Sequence, residues 1–177
     1  MPTVFTHPIP AIALSTALGK EIIPIRLALA AIVCSVLPDL DVAAYWFHFS
    51  GGLQAHRGFS HSLAAAALIG CCGFLLGPWL HSGRKLAFAV LFCATASHGL
   101  LDAITAGGSG VAFFWPFDEI RYFLPWRPVL VSPIRPESFF SERGLRVIFS
   151  EMRWVWLPCL TFALAAIVTR SWLRTRR

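Results

Sequence analysis

Charge is scarce in this chain. Asp, Glu, Lys and Arg make up 14% of its 177 residues, against about 25% in an ordinary soluble domain. Hydrophobic residues make up 56% and the mean hydropathy is +0.66, which excludes a typical soluble domain and points to an integral membrane protein. There is no CxxC pair. Cys34, Cys71, Cys72, Cys93 and Cys159 all lie in apolar segments, so a disulfide framework is excluded and buried small hydrophobes are expected. No Lys or Arg precedes Lys20, which argues against a cleaved signal peptide, because such a peptide wants a basic start. The net charge of +6 has no basic stripe with interleaved stacking aromatics, so nucleic acid is not an expected partner. No internal repeat is present, and the length leaves room for one domain over residues 1–177.

The apolar runs give the expected architecture. It is an all-α integral membrane protein with about three transmembrane helices, a short N-terminal re-entrant helix and interfacial helices. Pro10–Leu18 is too short to span, and Thr6 is a candidate cap. Residues 22–38 form a short spanning candidate ended by Leu37-Pro38. Val42–Phe49 reads as an interfacial helix, followed by a loop at Ser50-Gly51-Gly52. Ser62–Leu80 is an uncharged run of 19 residues, with Ser60 expected to cap it. Leu86–Ala106 is a second clear span, and Trp154–Thr169 another, with Trp154, Trp156 and Trp172 as interface anchors. Residues 107–153 are proline- and aromatic-rich and read as an irregular extramembrane segment, with a short helix over Gly144–Trp154.

Acids inside such apolar sequence need compensating partners. Asp39, Asp41 and Asp102 lie in LPDLD and HGLLD, and HRGFSHS brings His56 and His61 beside Arg57. His98 and Asp102 stand four apart on a helix and share one face. In an extended segment Asp39 and Asp41 would point the same way, although either also suits a helix N-cap. His56 and His61 flank a helix start, where an anion is favoured, and Arg57 suits a phosphate or a carboxylate. The same residues also admit a His–Asp hydrogen bond and a pair of interfacial histidines with a snorkelling Arg. With His7 the set reaches seven N/O donors: His7, Asp39, Asp41, His56, His61, His98 and Asp102. That exceeds one tetrahedral zinc and suits a two-metal site hydrolysing a phosphoester. His48 and His81 are left outside the set. If Arg84-Lys85 and the Arg-rich tail are both cytoplasmic, an even number of spans separates them, and the whole set falls at the non-cytoplasmic face.

In order and spacing, T-H near the N-terminus, PDLD, HRGFSHS, HGLLD-x-x-T-x-x-G and a following WPF, from about Thr6 to Phe117, resemble the bacterial YdjM-like family of inner-membrane metal-dependent hydrolases. The resemblance implies that Asp39, Asp41, His56, His61, His98 and Asp102 form the polar site, with Thr105 and Gly108 in the family's T-x-x-G. The HxxxD at His98 and Asp102 is also similar to the all-helical, trimetallic zinc-dependent phospholipases C. The expected function is therefore a membrane-bound metal-dependent hydrolase acting on a phosphoester, small-molecule or lipid-linked, through a metal-activated water. Arg57 and Asp41 are the residues given catalytic roles, Arg57 to steady the substrate phosphate. The expected cofactor is one to three divalent ions, Zn2+ first, with Mn2+ or Mg2+ as alternatives. The rival reading is a metal-binding or ion-transporting membrane protein without hydrolysis. A carrier, however, would string its charges along a path near the midplane rather than at one end.

Overall fold

The computed structural model describes residues 1–42, 56–133 and 136–176. Among them the chain is helical, with no strands and only two isolated β-bridges, Thr105 to Val129 and Val111 to Tyr122. The helices are α1 (Ile9–Leu18), α2 (Ile25–Val36), α3 (Leu63–Leu76), α4 (Arg84–Ala103), α5 (Pro136–Phe139), α6 (Glu142–Glu151) and α7 (Leu157–Thr175). A π-helical turn, Met152–Trp156, joins α6 to α7, so Glu142–Thr175 is one continuous helix of 34 residues.

Two helices are long and apolar enough to cross a membrane: the 20 residues of α4 and the 34 of Glu142–Thr175. The other expected spans are shorter than the sequence suggests. α2 has 12 residues, about 18 Å at 1.5 Å per residue, against a hydrocarbon core of about 30 Å. Pro24 and Pro38 bracket it. α3 has 14 residues and ends at Gly77, just before Pro78, which has no N–H to continue the helical hydrogen bonds. The cap of α3 is Ser62, whose side chain accepts from the Ala65 N–H at 3.1 Å, not Ser60. The expected short helix over Gly144–Trp154 begins earlier, at Glu142, so the second half of the 107–153 segment is helical rather than irregular. Val42 is the last described residue before the expected interfacial helix; the rest of Val42–Phe49, including His48, lies outside the described residues, as does Ser50-Gly51-Gly52.

α1 with α2 and α3 with α4 are two antiparallel hairpins, and α1 also packs along α7. The core between the hairpins is Ala11, Leu27, Ala28, Ala31, Ala87, Val90, Leu91 and Ala94. Its small side chains let the helices approach closely, as packing in an apolar medium favours. Gly73 extends this logic, since a Cβ there would lie 2.8 Å from the Ala87 carbonyl oxygen of α4.

The N-terminal residues are tied to the long helix. Glu151, 2% exposed, accepts from the Thr3 N–H and from the hydroxyls of Thr3 and Thr6, each at 2.6 Å. Trp156 Nε1 donates to Thr6 Oγ1 at 2.8 Å. Thr6 therefore braces α1 against Glu151 and Trp156 instead of capping it, and Trp156 is a hydrogen-bonded strut more than a free interface anchor.

Candidate metal centre

Both hairpins open toward the same end of the molecule. His7 precedes α1, Asp39 follows α2 in a 3-10 turn over Leu37–Leu40, His61 ends the 3-10 turn Phe59–His61 before α3, and His98 and Asp102 occupy the last turns of α4. The i, i+4 spacing on α4 puts His98 and Asp102 on one face, both fully buried. His61 reaches them because residue 99 is glycine: a Cβ there would stand 2.9 Å from the His61 carbonyl oxygen.

Five side chains converge on one point. His98 Nε2 lies 3.0 Å from His61 Nε2 and 3.3 Å from Asp39 Oδ1. His61 Nε2 is 3.4 Å from Asp102 Oδ2 and 3.9 Å from Asp39 Oδ1. His7 Nε2 is 3.7 Å from Asp39 Oδ2, and its ring stacks on His98 with centroids 3.7 Å apart. Donors bound to one cation at about 2.0–2.2 Å stand about 3–3.6 Å apart, the spacing that recurs here. Both ring nitrogens of His7, both oxygens of Asp39 and His56 Nε2 are buried with no hydrogen-bond partner, whereas Asp102 Oδ2 faces the Arg57 guanidinium at 2.9 Å. Leaving so many polar atoms unpaired is costly unless something positive sits among them. The donor groups that fit one ion are His7–Asp39–His98, Asp39–His56–His61 and His61–His98–Asp102, each with its donor atoms within 4.8 Å of one another.

The surrounding hydrogen bonds fix which nitrogens face inward. His98 Nδ1 is 2.7 Å from the Ser35 carbonyl oxygen, which only accepts, so Nδ1 carries the proton and Nε2 presents a lone pair. Ser60 Oγ donates to Asp41 Oδ2 at 2.6 Å and therefore accepts from His61 Nδ1 at 2.9 Å. His61 Nε2 then also faces the cluster. This is the arrangement by which metal-binding histidines are oriented from outside the ligand shell. Burial disfavours charge on His61, but contacts with Asp102 and Asp41 outweigh it and raise its pKa to about 9. A divalent cation and that proton compete for the same lone pairs. Burial, with the His98 ring adding to it, lowers the His7 pKa to about 3 and keeps that imidazole neutral. Burial would raise the Asp39 pKa, yet the neighbouring His98 and His7 rings hold it below the usual carboxylate range.

Asp39 and Asp41 do not point the same way. The segment is a 3-10 turn rather than an extended one, and at three residues per turn positions i and i+2 diverge. Asp39 enters the cluster, whereas Asp41 belongs to none of the three donor groups. Its oxygens take the His56 Nδ1–H at 2.6 Å, the Ser60 hydroxyl and the Arg57 backbone N–H at 3.3 Å, and Oδ2 lies 3.3 Å from His61 Nδ1. The carboxylate thus orients two imidazoles. Asp41→Asn should weaken metal binding by about 10–100-fold, read by competition with a chromophoric chelator; unchanged affinity would count against this role.

Arg57 is turned inward, away from any bulk phosphate. It is 1% exposed; its Nε lies 2.9 Å from Asp102 Oδ2 and its Nη1 donates to the Gly107 carbonyl at 3.1 Å. The loop at 107–110 admits it because residue 108 is glycine at φ +97, where a Cβ would lie 2.5 Å from Arg57 Nη1. Thr105 Oγ1 bonds back to the Leu101 carbonyl at 2.9 Å, steadying the end of α4. His81 is exposed in the turn before α4. Sequence reasoning passed over Ser35, Gly99 and Glu151, and read Ser60 as a helix cap where it bonds Asp41 and His61. An acid three residues before the apolar run at Trp154 was a usable signal for Glu151, while a backbone carbonyl such as that of Ser35 leaves none.

The sequence profile of the YdjM inner membrane protein family matches residues 1–175. The chain is also similar to the inner membrane protein YbcI of Escherichia coli (strain K12), 39% identical over 160 residues that cover 89% of this chain and 92% of that one. No solved structure matches.

Proposed function

The chain belongs to the YdjM family of inner membrane proteins, and from that location and the geometry of the cluster we propose that it is a metal-dependent hydrolase of phosphoesters. The observation that carries the proposal is the set of buried, unpaired donors on His7, Asp39 and His56, beside the inward-facing nitrogens of His61 and His98. His7, Asp39, His61, His98 and Asp102 would hold the metal, with His56 at their edge. A mixed imidazole and carboxylate set suits Zn2+ first, with Mn2+ next. A divalent ion there would supply Lewis-acid polarisation of a phosphoryl oxygen and lower the pKa of water. Asp41 holds the His56 Nδ1–H, which leaves His56 Nε2 as the nitrogen able to take a proton at the edge of the site. Arg57 holds Asp102 in place, and the near-complete burial of the cluster excludes bulk water. Gathering the donors at one end of the hairpins suits a reaction site better than a conduction path along the helices. The basic residues Lys20, Arg26, Arg84, Arg170 and Arg174 lie toward the opposite ends of the helices, and the positive-inside bias supports a site at the non-cytoplasmic face.

Protein purified in detergent should contain at least one divalent metal per chain by elemental analysis. It should hydrolyse p-nitrophenyl phosphate or bis-p-nitrophenyl phosphate, lose that activity on chelation and regain it when metal is restored. Substoichiometric metal, with hydrolysis indifferent to chelation, sinks the reading.

A further inference from the structure

Among the imidazoles of the cluster, His7 is the one that no hydrogen bond orients. Neither ring nitrogen has a partner. The ring rests on its stack with His98, centroids 3.7 Å apart and planes 13° from parallel, and on the backbone that leads into it. That backbone is a turn, closed by the Thr6 N–H on the Thr3 carbonyl at 2.9 Å, and the Thr6 carbonyl takes the Ile9 N–H at 3.1 Å. Residues 3–7 thus form one piece with the start of α1. What fixes that piece lies 145 residues along the chain from Thr6. Glu151 Oε1 accepts the Thr3 N–H, and Oε2 accepts the hydroxyls of both Thr3 and Thr6. Having given its proton to Glu151, Thr6 Oγ1 accepts from Trp156 Nε1.

The long helix is shaped to bring those two partners to one threonine. Glu151 and Trp156 stand five apart, and on a regular α-helix residues five apart lie about 140° from each other round the axis. They would face different ways. Here the chain is π-helical from Met152 to Trp156, with the Leu157 N–H bonded to the Met152 carbonyl, and a turn closed from i to i+5 places residues five apart nearly above each other. Such turns are rare and gather at functional sites. No donor of the cluster lies on the long helix, so this turn serves the site through Thr6. Glu151 is 2% exposed, and apolar packing would join two helices in a membrane at lower cost than a buried carboxylate. Resting on the metal centre proposed above, we propose that Glu151 is a positioning residue for it: through Thr3, Thr6 and Trp156 it fixes where His7 stands, and so completes the His7–Asp39–His98 donor group. His61, His98 and Asp102 are oriented by other contacts. An ion therefore keeps those donors when the strap is lost, and binds more weakly rather than not at all.

The test measures Zn2+ affinity of the full chain in detergent, by competition with a chromophoric chelator. Glu151→Gln turns an amide N–H toward donors that need an acceptor, and Thr6→Val keeps the shape but removes the hydroxyl. Each should weaken Zn2+ binding about 10–100-fold, whereas Thr6→Ser, which restores the hydroxyl, should bind as wild type does. Arg170→Met cuts another polar tie between α1 and the long helix, from Arg170 Nη2 to the Thr16 carbonyl at 2.9 Å, and should leave the affinity unchanged. In a His7→Ala background Glu151→Gln should weaken binding no further, since effects that run through one side chain do not add. Undiminished affinity in Glu151→Gln and Thr6→Val, or a full second loss on top of His7→Ala, overturns the proposal. Another measurement needs no metal. Diethyl pyrocarbonate carbethoxylates accessible imidazoles, and in chelated protein it should modify His7 slowly, read by mass spectrometry of the peptide that carries it. Glu151→Gln should raise that rate about tenfold or more by local opening. A rate left unchanged overturns the role of the strap even where wild type binds Zn2+. Wild type that binds no Zn2+, by contrast, removes the metal centre and leaves the carbethoxylation rate to decide whether Glu151 places His7.

Discussion

His98→Ala should leave the purified protein with less than a tenth of the wild-type metal and with phosphoester hydrolysis lower by about a thousandfold or more. His98 takes part in two of the three donor groups and stacks on His7, which anchors the first. Its Nε2 sits within 3.3 Å of both His61 and Asp39, so no neighbour can take its place without moving the cluster. Orienting contacts alone are worth about 10–100-fold in metal affinity, and losing a central ligand exceeds that. The substitution also empties space beside the Ser35 carbonyl, so thermal unfolding of chelated wild type and variant is compared in parallel. Similar stability with lost metal identifies a ligand. Retained stoichiometric metal would falsify the assignment.

Arg57→Met should produce the largest loss of stability of any single change at the site, about 3–5 kcal/mol in metal-free protein. The guanidinium is 1% exposed and Asp102 fully buried, so the substitution removes a paired charge from a buried carboxylate that keeps the His61 ring at 3.4 Å and the Met1 ammonium at 3.9 Å. It also frees the Gly107 carbonyl that Arg57 holds. A double-mutant cycle separates these effects: in an Asp102→Asn background the same change should cost less than half as much. Equal cost in both backgrounds would show that Arg57 acts only through the 107–110 loop.

The helical class was legible because apolar runs between prolines and glycines leave few alternatives in a membrane. The donor set was legible for the same reason: an acid or imidazole in such a run has to be doing something. Helix length was not. Pro24, Pro38 and Pro78 shorten α2 and α3, while the hydropathy of the surrounding residues runs on without them. The divergence of Asp39 and Asp41 was equally hidden, since an extended segment and a 3-10 turn read alike over four residues. Arg57 looked like an anion binder from its neighbours; only the fold reveals that Asp102 and the glycine loop close around it. Family membership supports the inner-membrane location, and the chemistry of the cluster is carried by its own buried atoms.

The strap from Thr3 and Thr6 to Glu151 and Trp156 also sets a schedule. Residues near the start of the chain reach their places only when a helix from its last third has been made and inserted. Until then His7 has nothing to hold it beside His98, however well the two hairpins have formed. The cluster is therefore completed last in biogenesis, and a chain stalled before the final helix would be a pair of hairpins whose first donor, His7, has no strap to place it.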